Sequence, residues 1–131
     1  MRKVHVADAD PLPNRPARAV TDVAGAVDAS KLGIRYYELD PGDSVGRTYH
    51  KHDDQEELFY VESGTVTFDT TDGPVPVESG EVVRFAPGEY QRGTNDGDEP
   101  ATVLGLGAPA GSTEVTRMRH CDECGNETGR W

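Results

Sequence analysis

The chain of 131 residues is the size of one compact domain, and it carries 24 Asp and Glu residues against 13 Lys and Arg residues. The net charge of −11 argues against nucleic acid and anionic membranes as partners, because both attract basic patches. The basic residues are ten arginines and three lysines. Scattered acid with little lysine favours a halophilic cytoplasm, and an acidic mesophilic protein is the alternative.

The amino-terminal segment, residues 1–31, lacks the apolar region of an export signal, and no apolar run in the chain approaches the ~18 residues of a membrane span. We therefore predict a cytoplasmic protein. In that reducing compartment Cys121 and Cys124 are expected as thiols or metal ligands. The prolines between residues 8 and 18 predict an extended surface arm, with a short strand around His5.

Short β-like runs separated by Gly, Pro, Asp and Asn fill residues 32–119. With turns every eight to twelve residues, they predict an all-β antiparallel sandwich or barrel. Asp72-Gly73 predicts a hairpin turn, because glycine tolerates positive φ, and Thr21 to Leu32 predicts only a brief helix. The runs are GIRYYELD, EELFYVESG, TVTFDTT, PVPVES, EVVRFAPG, ATVLGLG and STEVTRMR.

The stretch YHKHDDQEELFYVESG, residues 49–64, has the pattern of a metal site. Strand residues alternate faces, so His50 and His52 project to one side, and Glu57 shares a face with Phe59 and Val61 on the next strand. Two imidazoles and a carboxylate suit Fe(II), Mn, Zn or Ni, with open positions for substrate. The alternative is two hydrogen-bonded strand histidines beside solvated glutamates.

The same stretch resembles the first motif of the cupins, G-x5-H-x-H-x4-E-x6-G. His50, His52, Glu57 and Gly64 are in register, whereas Ser44 stands at the leading glycine. The resemblance implies a jelly-roll β-barrel, the cupin double-stranded β-helix, over residues 32–119. It also implies that His50, His52 and Glu57 bind a divalent metal.

The second cupin motif, G-x5-P-x-G-x2-H-x3-N, resembles GEVVRFAPGEYQRGTN. Gly80, Gly88 and Asn95 are in register, Ala86 replaces the proline, and Gln91 stands where the third histidine ligand belongs. The resemblance therefore leaves the fourth metal position to Gln91, whose amide oxygen is a weaker and harder donor than imidazole. A metal-free barrel that binds a polar ligand through these side chains is the alternative.

Further side chains are candidates for the wall of the pocket. An inward arginine can clamp a carboxylate or phosphate with its bidentate fork, and a tyrosine can supply a hydroxyl. Each of these residues has an ordinary structural or surface role as its alternative. The candidates are Tyr36, Tyr49, Phe59, Arg84 and Glu89.

The tail, residues 120–131, contains HCDECG, which resembles half of a zinc knuckle. A closed structural zinc site needs four ligands, and Cys121 and Cys124 supply two. A homodimer could complete the site across a two-fold axis. The alternative is a tail with an unoccupied or redox-active cysteine pair.

Two classes of function follow from these features. The first is a metal-dependent enzyme of dioxygenase, isomerase or decarboxylase type that acts on a small polar molecule. The second is a non-catalytic binding or sensing module with a zinc-binding, partner-forming tail. A serine hydrolase is disfavoured, because no G-x-S-x-G pattern is present in the sequence.

Overall fold

The computed structural model describes residues 1–111 and the backbone of 115–120 and 127–128. A 3-10 turn (Val6–Asp8) and a one-turn helix α1 (Val23–Ala26) accompany the strands. The strands are β1 (Ala19–Asp22), β2 (Gly33–Leu39), β3 (Tyr49–His52), β4 (Glu56–Ser63), β5 (Thr65–Thr70), β6 (Gly73–Glu78), β7 (Val82–Phe85), β8 (Arg92–Thr94), β9 (Ala101–Ala108), β10 (Val115–His120) and β11 (Glu127–Thr128).

The strands form three antiparallel sheets. One sheet has the order β1-β2-β9-β4-β7, the second β6-β5-β8 and the third β11-β10-β3. An antiparallel bridge between His50 and Gln91 joins β3 to the segment that leads into β8. The predicted all-β antiparallel fold is confirmed, and it is the jelly-roll double-stranded β-helix.

The core lies between the five-stranded sheet and the sheet of β5, β6 and β8. In β4, Phe59 and Val61 are 3% and 0% exposed, whereas Tyr60 between them is 39% exposed. The Phe59 ring packs 5.0 Å from the ring of Phe68, which lies 5.5 Å from that of Phe85. Burying each such side chain stabilises the fold by about 1.5–3 kcal/mol. The period-two alternation therefore faces one side of β4 inward, as the sequence predicts.

Two residues of the motifs hold the turns between strands. Gly64 has φ +76°, and a Cβ at this position would lie 2.7 Å from the carbonyl oxygen of Pro100. Asn95 is 1% exposed, and its Nδ2 donates to the carbonyl oxygens of Leu39 (3.1 Å) and Glu99 (2.8 Å). Both residue types are thus required by backbone geometry rather than by the chemistry of a site.

The β5–β6 hairpin is present with its turn one residue before the predicted Asp72-Gly73, and the brief helix lies within the predicted stretch from Thr21 to Leu32. The turn of the hairpin is Thr71-Asp72, and Gly73 follows with φ +103° as the first residue of β6. The carboxylate of Asp22 caps α1 by accepting from the Gly25 amide at 2.9 Å. No helix of the described residues is both long and apolar enough to cross a membrane.

The amino-terminal segment makes more backbone contacts with the barrel than the predicted surface arm would. Val6–Asp8 form a 3-10 turn where we expected a strand around His5. The strand of this segment is β1, which pairs with β2 at the edge of the five-stranded sheet. Residues 8–18 then lie alongside the loop before β3, where the Ser44 amide donates to the Pro16 carbonyl at 2.8 Å.

Candidate metal centre

Strands β3 and β4 bring two histidines and a glutamate to one point inside the fold. His50 and His52 lie on the same side of β3, with ring centroids 4.9 Å apart. Glu57 lies on β4 with its side chain on the face of Phe59 and Val61. One ligand atom from each of His50, His52 and Glu57 lies within 4.8 Å of the others. The arrangement predicted from the alternation of the strands is therefore present.

Gln91 completes the cluster, because its backbone pairs with His50. The two residues exchange backbone hydrogen bonds of 3.1 and 2.8 Å. The Gln91 Nε2 donates to Glu57 Oε1 at 3.2 Å and lies 3.5 Å from His50 Nε2. Gln91 is 1% exposed, and its Oε1 is buried without a hydrogen-bond donor among the described residues.

The hydrogen bonds of the histidines indicate which nitrogen faces the cluster. His50 Nδ1 lies 2.8 Å from the carbonyl oxygen of Thr48, which can only accept, so Nδ1 carries the proton. The Nε2 of His50 therefore presents its lone pair to the cluster. A backbone carbonyl that orients a ligating histidine in this way is the usual arrangement around protein-bound metals.

Glu57 is a buried carboxyl group. Burial raises its pKa to about 7, although the hydrogen bond from Gln91 and the charge of Arg35 both lower it. Its Oε1 lies 3.2 Å from His52 Nε2, so a protonated Glu57 can donate to that nitrogen. Near neutral pH the carboxyl group of Glu57 is therefore partly protonated, and a bound cation would displace this proton.

The ligand atoms of His50, His52 and Glu57 lie within 4.8 Å of one another, close enough to share a divalent ion. At bond lengths of about 2.0–2.2 Å, neighbouring ligands of a tetrahedral or octahedral ion lie roughly 3.0–3.5 Å apart. Glu57 Oε1 lies 3.2 Å from His52 Nε2 and 3.2 Å from Gln91 Nε2. The Gln91 Nε2 lies 3.5 Å from His50 Nε2. Half a turn of the Gln91 amide would bring its buried oxygen to the same place.

The four side chains lie at the wall of a cavity of about 790 Å³. This volume is large enough for a small organic molecule. The glycines at 33, 105 and 107 lie along the wall, and a Cβ at Gly105 would come within 3.0 Å of Tyr37 and 3.1 Å of Phe59. The apolar part of the wall includes Val20, Val45, Phe59 and Leu106.

Of the pocket candidates from the sequence, Phe59 lines the cavity and two tyrosines do not. Tyr36 is on the opposite face of β2, where its hydroxyl donates to Glu62 Oε1 at 3.0 Å. Tyr49 stacks on Tyr90, with ring centroids 5.1 Å apart. Both tyrosines therefore have structural partners away from the cavity.

Arg84 and Glu89 also lie away from the cavity wall. Arg84 on β7 pairs with Glu56 on β4, with Nε and Oε2 2.5 Å apart and both side chains about half-exposed. Glu89 accepts from the Ala86 amide at 2.8 Å and so closes the turn before Gln91. Arg84 and Glu56 thus form a surface ion pair, and such pairs contribute little to stability.

Five polar residues of the cavity wall were not predicted from the sequence, namely Arg15, Arg35, Arg47, Thr48 and Gln55. Arg35 and Tyr37 are two residues apart on β2 and both line the cavity. The alternation of side chains along β2 could therefore have predicted Arg35. The others lie outside the regular strands, where no periodicity predicts the direction of a side chain. Gln55 is held by a 2.8 Å hydrogen bond from its Nε2 to the Pro109 carbonyl oxygen.

The proposed zinc ligands Cys121 and Cys124 lie outside the described residues. Strand β10, which precedes the cysteines and is described by its backbone alone, pairs with β3, so that Arg117 lies opposite His50 and Val115 opposite His52. The segment before the cysteines therefore pairs directly with the strand that carries both histidines.

Comparison with known proteins supports the architecture. The sequence model described as the cupin domain matches residues 35–107. A sugar phosphate isomerase from Silicibacter pomeroyi is 20% identical, with a TM-score of 0.74 and coverage of 98% of this chain and 92% of that one. The polyketide cyclase RemF from Streptomyces resistomycificus is 19% identical, with a TM-score of 0.75 and coverage of 93% and 88%.

A predicted oxalate decarboxylase from Thermotoga maritima is 22% identical, with a TM-score of 0.70 and coverage of 82% of this chain and 99% of that one. A search of curated proteins found no matching sequence. At these identities the solved structures establish the fold alone. The family match spans both motifs and more than half of the chain, and the structure brings those motifs together around one cluster of His, Glu and Gln. The chain belongs to the cupin family.

Proposed function

We propose that the protein is a metal-dependent enzyme of isomerase, decarboxylase or dioxygenase type that acts on a small polar molecule in the cavity. The observation that carries this proposal is the convergence of His50, His52 and Glu57, whose ligand atoms lie within 4.8 Å of one another at the cavity wall. A single divalent ion, Fe, Mn, Zn or Ni, would be held by these three residues with Gln91 as fourth partner.

Each residue would have a distinct role around the ion. His50, oriented by the Thr48 carbonyl, and His52 would supply neutral nitrogen ligands, and Glu57 would supply the negative charge. When bound, the ion would act as a Lewis acid that polarises an oxygen of the substrate. Gln91 would ligate weakly through Oε1 or position a polar group of the substrate, because amide oxygen is a weaker donor than imidazole.

The names of the similar structures agree with this range of reactions. They include a sugar phosphate isomerase, a predicted oxalate decarboxylase and a polyketide cyclase. All three activities concern molecules rich in carbonyl, hydroxyl or carboxylate oxygen, which are groups that a divalent ion can bind. The fold alone does not select among them, since one fold hosts many chemistries.

Metal content tests the proposal directly. We expect one divalent ion per chain in a protein whose two cysteines are replaced by serine, and its loss in the same protein carrying His52→Ala. His5→Ala is the matched control, because His5 caps the 3-10 turn far along the chain from the cluster. Elemental analysis after dialysis measures both. An unchanged metal content in His52→Ala would remove the proposed site.

The alternative is a binding or sensing cupin without turnover. It is supported by the replacement of the third histidine by Gln91, which lowers the expected affinity for Zn, Ni and Fe. It predicts that a captured ligand raises the melting temperature and is recovered unchanged. Chemical conversion of the captured ligand by the loaded protein would instead establish the enzyme.

Other features stay predictions from the sequence. A zinc site at Cys121 and Cys124 that joins two chains requires half a mole of zinc per chain, lost on Cys121→Ser, and a dimer in solution. A monomer without bound zinc would contradict it. Cytoplasmic location and a halophilic source likewise stay predictions, and the halophilic source rests on the charge balance.

A further inference from the structure

The charge of the cavity is opposite to that of the chain. The chain has a net charge of −11, whereas the cavity wall carries three arginines and a single carboxyl group, that of Glu57. Basic residues number 13 in all, so this concentration in one cavity is not a general feature of the surface. A cleft lined by one sign of charge concentrates ligands of the opposite sign.

The three arginines reach the cavity from separate parts of the fold. Arg35 lies on β2, Arg15 on the amino-terminal segment and Arg47 in the loop between β2 and β3. Arg47 Nη2 donates to the carbonyl oxygen of Asn14, the residue before Arg15. The hydrogen bond therefore places Arg47 beside the backbone that carries Arg15.

Two of the cavity arginines act on the buried hydroxyl group of Tyr37, which also lines the cavity. Burial raises the pKa of Tyr37, and the charges of Arg35 and Arg15 both act to lower it. Arg35 also acts on Glu57 in the same direction. Arg35 thus acts on both Tyr37 and the Glu57 carboxyl group of the metal cluster.

Among the described residues, Glu57 is the one carboxyl group at the cavity wall, against three arginines. The ion pairs of lysine and arginine among residues 1–111 engage Arg2, Arg18, Lys51 and Arg84, and none of them includes a cavity arginine. The three arginines are exposed, so solvent and salt screen them, and an excess of positive charge at one cavity attracts anions most strongly at low ionic strength. The cavity therefore has the electrostatics of an anion site.

We propose that Arg15, Arg35 and Arg47 form the anion-binding part of the cavity and select a small molecule that carries a carboxylate or phosphate group. The guanidinium fork matches the paired oxygens of both groups. The inference deepens the proposed function, since it names the substrate class for the same cavity. One end of the molecule binds the arginines, and its remaining oxygens reach toward His50, His52 and Gln91.

Calorimetric titration of the metal-free full chain at low ionic strength tests the proposal, with inorganic phosphate and succinate as probes and dimethyl succinate as the neutral control. We expect one site for at least one anion and no binding of the ester. Arg35→Gln and Arg47→Gln should each weaken binding about tenfold, as the loss of a charge-assisted hydrogen bond does. Arg84→Gln changes the net charge by the same amount outside the cavity, so it should change the anion affinity by no more than about twofold.

The outcomes separate the two groups and the two proposals. Binding of phosphate alone indicates that the substrate carries a phosphate group, and binding of succinate alone indicates a carboxylate. Binding of both indicates that the arginines recognise the oxygens that the two groups share. Absence of binding by both anions, equal binding of the ester, or an equal loss in Arg84→Gln overturns the inference. Because the titration uses metal-free protein, its result is independent of the metal analysis that tests the proposed function. Circular dichroism confirms that each variant is folded.

Discussion

Replacing Glu57 by Gln should stabilise the metal-free protein at alkaline pH. Burial raises the pKa of this carboxyl group from 4.5 to about 7. Below pH 4.5 the group is protonated in both the folded and the unfolded chain, so it has no effect on stability. As the pH rises from 4.5 to 7, the unfolded chain loses the proton first, and the folded state becomes progressively less stable.

The size of the effect follows from the difference in pKa. A difference of about 2.5 pH units corresponds to about 3 kcal/mol of unfolding free energy above pH 7, and to less than about 1 kcal/mol at pH 5. Gln at this position carries no charge at any pH. It can still donate to His52 and accept from Gln91, which are the contacts that Glu57 makes. Glu57→Gln should therefore gain about 3 kcal/mol over the native chain at pH 8.

Urea denaturation of chelator-treated and dialysed protein at pH 5 and pH 8 measures this difference. Glu56→Gln is the matched control, because Glu56 is the neighbouring residue but is about half-exposed and paired with Arg84. It should change the unfolding free energy by less than about 1 kcal/mol at either pH. A pH-independent difference for Glu57→Gln, or no gain at pH 8, would refute the reasoning. Saturating metal should reverse the order, because the ion stabilises only the native chain.

Three further outcomes follow from the structure. Gln91→His should raise the affinity for Zn or Ni at least about tenfold in a competition titration, because imidazole is the better donor; an unchanged affinity would place this side chain outside the coordination sphere. Gly64→Ala should cost about 2–4 kcal/mol in urea denaturation, since its Cβ would meet Pro100 at 2.7 Å at φ +76°. Gly73→Ala, at φ +103° with nothing within 4 Å, should cost only about 1 kcal/mol, and equal losses would contradict the steric part of this account. Phe68→Ala should cost about 3–5 kcal/mol, because the ring is 0% exposed, and a loss below about 1 kcal/mol would show that the core relaxes around the cavity.

The sequence predicts the histidines and the glutamate because their arrangement is local. Side chains two residues apart on one strand lie on the same face, so His50 and His52 project together wherever the strand lies. Glu57 is on the face of Phe59, and the burial of that apolar face decides its direction. The register of Gly64, Gly80, Gly88 and Asn95 predicts the architecture for a similar reason, since turns require these residue types at set distances.

The remaining parts of the site depend on contacts between distant segments. β1 and β8 are short strands that form through pairing with β2 and β5, and their sequences contain no comparable alternation. The amino-terminal segment lies along the cavity because its Pro16 carbonyl accepts from the Ser44 amide and its Asn14 carbonyl accepts from the Arg47 side chain, 33 residues later in the chain.

The sequence by itself determined the strand pattern, the inward direction of the two histidines and the glutamate, and membership of a barrel family, because each depends on the period of a strand or the geometry of a turn. Tertiary structure alone decided that Gln91 donates to Glu57, that burial raises the pKa of Glu57, and that three arginines gather in one cavity. Burial and charge convergence are properties of the whole packed chain, since they depend on which distant segments exclude water from a group.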